Sequence, residues 1–200
     1  MTTGQTDLGP RPLTVDDLHG TPDDGRRYEL VDGRLDVSPA PVFLHSRVES
    51  RLNAHLTFLA PEGFEVVSTP GINFDADRTH HRVPDLVVIG ADGAEEPYLT
   101  RPPLLAVEVV SPESSFRDHY TKRQEYAKFG IPSYWIITPD QGRPHLIELR
   151  LSEGEYREVS STSGDDLFET ELPFPVRTVP LWLVAPGPWR GRVGGGRDPE

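Results

Sequence analysis

The alternation of apolar and polar residues along the chain predicts two long helices. In the first, over residues 42–59, four apolar residues recur at helical spacing and are expected to face the core: Val48, Leu52, Leu56 and Leu59. The second helix is predicted over residues 115–129. It begins with a pair typical of a capping box, Ser115 and Asp118, and Gly130 ends it.

Strands are predicted before, between and after these helices. The segment YELVDGRLDVS is typical of a β-hairpin, because the Asp32–Gly33 pair readily adopts the positive φ angles of a tight turn. Three nearly continuous apolar runs, LVVIG, LLAVEVV and SYWIIT, are typical of strands that are buried on both faces. Further strands are predicted at residues 64–68, 72–75, 145–151, 156–160 and 178–184.

The order of these elements indicates an α/β fold with a mixed central β-sheet flanked by helices and preceded by the β-hairpin. The elements span residues 13–184, which is the usual size of one domain. Residues 1–12 and the glycine-rich residues 185–200 are predicted to be disordered.

Composition narrows the function classes. The chain has no cysteine, which excludes disulfides and thiolate metal sites and fits a cytoplasmic protein. It has no apolar run near the roughly 18 residues that a membrane span needs. The formal net charge is −12, whereas proteins that bind nucleic acid are usually basic. If this protein acts on nucleic acid, a local basic patch, a bound cation or a partner must therefore supply the attraction.

Two carboxylates in apolar surroundings are the main candidates for chemistry. Glu108 lies inside the apolar run LLAVEVV, and Asp85 stands where the chain enters the strand LVVIG. On neighbouring strands, side chains of one face come within roughly 5 to 6 Å. Two carboxylates at that distance repel each other unless a cation lies between them, and Mg²⁺ prefers such oxygen ligands. The competing interpretation is a buried structural ion pair.

Two further residues are weaker candidates. Glu29 lies in the first strand of the hairpin and is either partly buried or on an outward face. Lys122 shares a helical stripe with Tyr126 and Phe129, so it either reaches towards the sheet or extends to the surface. His45 is placed to face the same pocket. His80 and His81 are predicted to be loop residues, because adjacent histidines on an extended chain point to opposite sides.

Four segments in this order resemble the Uma-type family of restriction-endonuclease-like proteins in the PD-(D/E)XK nuclease superfamily: YELVDGRLDVSPAP, RVPDLVVI, LLAVEVVSPESS and RDHYTKRQEYAKFGIPSYWIITPD. The resemblance covers roughly residues 13–184. It implies that Asp85 and Glu108 bind Mg²⁺ (or Mn²⁺) and that Glu29 completes the site. The superfamily pattern places a lysine where this chain has Val110, and the resemblance implies that Lys122 takes over that role.

The implied activity is hydrolysis of phosphodiester bonds by a metal-dependent endonuclease, with nucleic acid as the substrate. An alternative is an inactive nuclease-fold module that binds protein or nucleic acid, and a third is a domain whose buried carboxylates are only structural. Nucleases that cut both strands often pair, so a homodimer is one hypothesis. The sequence leaves open whether the substrate is DNA or RNA.

Overall fold

The computed structural model describes residues 11–111 and 117–196. A 3₁₀ helix covers Val15–Gly20, and helix α1 covers Phe43–Leu59. A π-helical turn, Arg117–Thr121, leads into helix α2, Lys122–Phe129. Gly130 follows α2 with φ of 95°, so the predicted end of this helix is confirmed. The predicted start at Ser115 lies outside the described residues.

Strands make up most of the remaining structure. They are β1 (Arg27–Val31), β2 (Arg34–Ser38), β3 (Phe64–Ser68), β4 (Ile72–Asn73), β5 (His81–Arg82), β6 (Leu86–Gly90), β7 (Leu105–Val109), β8 (Ser133–Thr138), β9 (His145–Ser152), β10 (Glu155–Ser163), β11 (Phe168–Thr170) and β12 (Val176–Thr178). Six of these strands form the central sheet, in the order β10-β9-β8-β7-β6-β3. Strands β7 and β8 run parallel and the other neighbours antiparallel, so the sheet is mixed as predicted.

A smaller sheet, in the order β2-β1-β5-β4, contains the predicted hairpin. Its turn residues Asp32 and Gly33 both have positive φ, 49° and 74°, which matches the tight turn expected of an Asp-Gly pair. Strands β11 and β12 form a separate antiparallel pair. Together the sheets and helices confirm the predicted fold class.

The central sheet is covered on both faces. On one face α1 packs through Val48, Leu52 and Leu56, and on the other α2 packs through Tyr126 and Ala127. Because side chains alternate along a strand, Ala106 and Val110 join the α2 side, whereas Leu105, Val107 and Val109 join the α1 side. Glu108 lies between Ala106 and Val110 in this alternation and so faces α2.

Two predicted elements differ from the structure near the middle and end of the chain. The strand predicted at residues 178–184 is wrong beyond Thr178, because Leu181–Val184 forms a short helix, α3, that begins after Pro180. The loop predicted at His81 is also wrong. His81 is buried in β5, a strand of two residues that is too short to produce a period-two pattern.

The predicted disorder from residue 185 onwards also differs from the structure. Trp189–Arg192 forms helix α4, and Val193 is buried. The Val179 amide donates a hydrogen bond of 2.7 Å to the carbonyl of Val193, which fastens this segment to the domain. Its apolar anchors offset the glycine content from which disorder was predicted. Residues 1–10 and 197–200 lie outside the described range.

Candidate functional site

Asp85 lies immediately before β6 and is held by groups from three other elements. Its Oδ2 accepts a hydrogen bond of 2.6 Å from the Val109 amide on β7. Its Oδ1 accepts one of 2.7 Å from Arg27 on β1 and lies 3.2 Å from Nε2 of His45 on α1. Burial alone would raise the pKa of Asp85, but the contact with His45 and the charge of Arg27 outweigh it and lower the pKa to about 2.

Glu108 is paired with two side chains of α2. Its Oε1 accepts hydrogen bonds of 2.7 Å from Nζ of Lys122 and 2.6 Å from the hydroxyl of Tyr126. Burial, reinforced by the negative charges of Asp118 and Asp85, raises the pKa of Glu108 well above its usual range. Lys122 opposes that shift, and the surrounding carboxylates in turn raise the pKa of Lys122 against its own burial.

Glu29 joins Lys122 from the hairpin side. Its Oε1 lies 3.5 Å from Nζ of Lys122 and accepts a hydrogen bond of 2.8 Å from the Val83 amide. Its Oε2 lies 3.2 Å from the guanidinium of Arg82. Burial alone would raise the pKa of Glu29. The charges of Lys122 and Arg82 lower the pKa by more than burial raises it, so the carboxylate stays ionised.

The structure therefore brings the four predicted residues into one buried region. Their exposed fractions are 1% for Glu29, 0% for Asp85, 2% for Glu108 and 4% for Lys122. Glu29 and Lys122 are thus not the outward-facing side chains that the alternative interpretations allowed. The group reaches solvent beside Asp85, where the Arg27 side chain is 21% exposed and the His45 side chain 11%.

A second cluster of candidate ligands lies at this solvent-facing edge. Among the described residues, ligand atoms of His45, Glu49 and Asp85 all lie within 4.8 Å of one another and form a group that could hold a metal ion. Burial, together with the negative charge of Asp85, raises the pKa of Glu49. A cation would relieve this repulsion, so an imidazole and two carboxylates make a chemically suitable set for a divalent ion.

Glu49 is the site residue that the sequence analysis missed. The signal was present, since Glu49 follows His45 by four residues and therefore lies on the same side of α1. Its helix is amphipathic, however, and a polar residue outside the apolar stripe is expected to face solvent. Only the packing of α1 beside Asp85 distinguishes Glu49 from the other polar residues of that helix.

None of the helices within the described residues is long and apolar enough to cross a membrane.

Comparisons with known proteins agree with the predicted family and fold. The model of the Uma2 family, described as "Putative restriction endonuclease", matches residues 15–181. No curated protein matches the chain. A crystal structure described as a "putative nuclease belonging to DUF820" from Anabaena variabilis ATCC 29413 has a TM-score of 0.61 and 20% identity, and the match covers 80% of this chain and 89% of that one. The solved structure supports the nuclease fold, and because the family match spans most of the chain, this protein belongs to the Uma2 family of restriction-endonuclease-like proteins.

Proposed function

We propose that this protein is a metal-dependent endonuclease that hydrolyses phosphodiester bonds of nucleic acid. The observation that carries the proposal is the contact of 2.7 Å between Nζ of Lys122 and Glu108. Asp85 is bonded to the same strand, β7, because it accepts a hydrogen bond from the amide of Val109, the residue after Glu108. Acidic residues beside a lysine suit phosphodiester hydrolysis with a metal, because carboxylates bind hard divalent ions and an ammonium group can donate to the charge that develops on the phosphate.

The proposed metal ligands are Asp85 and Glu108, as the family resemblance implies. His45 and Glu49 are further candidates, since they lie with Asp85 at the side open to solvent. Carboxylates suit Mg²⁺ and Mn²⁺, whereas an imidazole ligand favours transition metals over Mg²⁺. Glu29 is also implied as a ligand by the family resemblance. Since its two oxygens already contact Val83, Arg82 and Lys122, we assign it the role of holding Lys122 in place.

When bound, a divalent ion would polarise the scissile phosphate and lower the pKa of a bound water. Lys122 remains protonated beside its carboxylates and can donate N–H groups to the attacking water or to a phosphate oxygen. Glu29 and Glu108 approach Nζ of Lys122 at 3.5 and 2.7 Å and fix its position. Tyr126 donates to Glu108 and keeps that carboxylate oriented.

The test combines metal binding and cleavage in one set of variants. The chain has two lysines, Lys122 and Lys128, and both lie on α2. Lys122→Met should lower cleavage of DNA or RNA by at least about a hundredfold, because a donor to the developing charge is lost. It should still be stabilised by Mg²⁺ or Mn²⁺. Lys128→Met, which alters an exposed lysine of the same helix, should behave like wild type in both measurements.

Asp85→Asn should lose both the cleavage activity and the stabilisation by Mg²⁺ or Mn²⁺. For the wild type, metal at a hundred times its Kd should add about 2.7 kcal/mol of stability, which thermal melting detects. Cleavage at wild-type rates by Lys122→Met would contradict the catalytic assignment. Melting of wild type that is unchanged by millimolar metal, together with cleavage in EDTA, would contradict metal dependence.

A second candidate function is a nuclease-fold module that binds nucleic acid or protein without cutting. The observation that favours it is that three buried carboxylates already have cationic partners: Arg27 for Asp85, Arg82 for Glu29 and Lys122 for Glu108. A metal would have to displace Arg27 from Asp85. Binding of an oligonucleotide without cleavage at any metal concentration would favour this candidate. A homodimer and a cytoplasmic location stay predictions.

A further inference from the structure

Positive charge is concentrated on one surface of this acidic protein. The whole chain has 32 Asp and Glu residues against 20 Lys and Arg, yet residues 181–196 contain no carboxylate side chain. Helix α1, on which this C-terminal segment packs, contains a single one, Glu49, which lies in the cluster with Asp85. Both elements carry arginines, so the attraction for polyanions that the overall charge lacks is present locally.

These arginines lie against aromatic rings. We use the term arginine–tryptophan surface for Arg47, Arg51, Trp182, Trp189, Arg190 and Arg192. The guanidinium of Arg192 lies 4.5 Å from the ring centroid of Trp182, and those of Arg51 and Arg190 lie 5.3 and 5.7 Å from that of Trp189. Beside them Arg47 lies 4.6 Å from the ring of Phe43, which is 74% exposed.

Part of this surface has a structural role. Arg51 donates to the carbonyls of Trp182, Leu183 and Ala185 at 3.0, 3.3 and 2.6 Å and so caps the end of α3. Arg47 donates to the Val184 carbonyl at 2.9 Å. These bonds fix the arginines without neutralising them, because a carbonyl carries no formal charge. The fold thus holds a preorganised set of cations and rings at its surface.

We propose that the arginine–tryptophan surface binds a single-stranded segment of nucleic acid that flanks the scissile bond. The arginines would contact successive phosphates, and the exposed Phe43 ring would stack against a base that is not paired. Single strands fit this chemistry because their base faces are accessible, whereas duplex bases are already stacked. The identity of the strand as substrate rests on the proposed function.

The position of the surface relative to the candidate site supports this assignment. On α1, Arg47 lies two positions after His45, and Arg51 lies two positions after Glu49; His45 and Glu49 both belong to the metal cluster. Residues two apart lie on nearly opposite sides of a helix, whose diameter with side chains is about 10–12 Å. Since nucleotides in a strand are separated by about 3.4 Å or more, a few nucleotides bridge the two places.

Binding of a labelled single-stranded oligonucleotide of mixed sequence tests the proposal, by fluorescence anisotropy in EDTA so that no metal-dependent cleavage occurs. Arg190 is exposed on α4, and its replacement leaves the Arg51 cap intact. Arg190→Glu should weaken binding about tenfold, and Arg190→Ala should lower the slope of log K against log salt by about 0.7, the value for one lost phosphate contact. Arg157→Glu and Arg157→Ala are the matched controls. Arg157 lies on β10 and its side chain is 68% exposed, so these variants should bind like wild type.

If the Arg190 and Arg157 variants weakened oligonucleotide binding equally, the proposal would be overturned, because the effect would then come from the net charge of the protein and not from this surface. Tighter binding of the duplex form of the same oligonucleotide would overturn the assignment to single strands. Absence of wild-type binding at low salt would overturn the whole proposal. The two assignments can fail separately, because cleavage by Lys122→Met tests the catalytic assignment, whereas binding by the Arg190 variants in EDTA tests this surface. Unchanged melting temperatures establish that the Arg190 variants are folded.

Discussion

The carboxylates of Asp85 and Glu108 lie close together but experience opposite electrostatic environments. Asp85 has Arg27, His45 and the Val109 amide around it, and its pKa is lowered to about 2. Glu108 is fully buried near further carboxylates, and burial together with their charges raises its pKa although Lys122 opposes the shift. A pair of acids whose pKa values are pushed apart is typical of functional sites, because each acid then serves a different purpose.

This contrast predicts opposite effects of neutralising the two residues on stability in the absence of metal. Asp85→Asn should destabilise the protein by on the order of 2 kcal/mol at pH 7, because a carboxylate whose pKa falls on folding stabilises the folded state above that pKa. Glu108→Gln should cost much less, because burial already disfavours its charge. Urea denaturation of both variants in EDTA measures the difference.

Repulsion between the two carboxylates would by itself predict the opposite sign for Asp85→Asn. If Asp85 and Glu108 only repelled each other, Asp85→Asn would leave the metal-free fold unchanged or more stable. The contacts with Arg27 and His45 reverse that sign. A loss of stability in Asp85→Asn therefore does not argue against an active site. A larger loss in Glu108→Gln than in Asp85→Asn would contradict the electrostatic description.

At the level of elements, the two-residue strand β5 connects the hairpin to helix α2. Its residue Arg82 is 1% exposed and donates to Glu125 on α2 at 2.8 and 2.9 Å and to Asp36 on β2 at 2.8 Å. Arg117, in the turn before α2, contacts Asp36 at 2.6 Å as well. These bonds hold the hairpin residue Glu29 and the helix residue Lys122 at a fixed separation.

Removal of this buried cation should therefore have a large effect. Arg82→Met keeps the length of the side chain but leaves Glu125 and Asp36 with one partner fewer, so we expect a loss of roughly 3–5 kcal/mol. Chemical denaturation measures it. Arg101→Gln is the control, since this arginine is 58% exposed and its pair with Glu95 should contribute less than about 1 kcal/mol. Similar losses in both variants would show that Arg82 is no more than a surface contact.

For the whole molecule, burial of histidine makes stability dependent on pH. His81 lies between two neighbouring strands, 2.7 Å from Asn73, and burial lowers its pKa to about 4. In the unfolded chain a histidine titrates near 6.5. Above that pH both states are neutral. As the pH falls from about 6.5 to 4, the unfolded chain takes up a proton that the folded protein does not.

The free energy of unfolding should therefore fall over this range by up to about 3 kcal/mol from His81 alone. His81→Gln removes this titration, so the difference in stability between variant and wild type should change steadily from pH 7 to pH 4 and become constant below. For His19→Gln, which alters an exposed histidine, the free energy of unfolding should change with pH in parallel with that of wild type. Urea denaturation at several pH values measures both, and a parallel course for His81→Gln would contradict the assignment.

The local sequence determined much of this protein. The Asp32–Gly33 turn, the apolar runs that became β6, β7 and β8, the stripe on α1 and the end of α2 at Gly130 all follow from short-range patterns. The reason is that turn geometry, side-chain alternation and helical spacing are properties of neighbouring residues. Asp85, Glu108 and Glu29 stood out as charges beside apolar residues, and Lys122 stood out by its helical stripe with Tyr126 and Phe129; both signals are local.

Tertiary structure decided which of these charges meet and what each contributes. Glu49 belongs to the cluster only because α1 packs beside the start of β6, and β5 is a strand only because β1 and β4 supply its partners. The C-terminal segment is ordered because Trp189 and Val193 pack on the core. Each of these outcomes depends on contacts between residues far apart in the chain, and a carboxylate's pKa depends on the charges that such contacts bring near it.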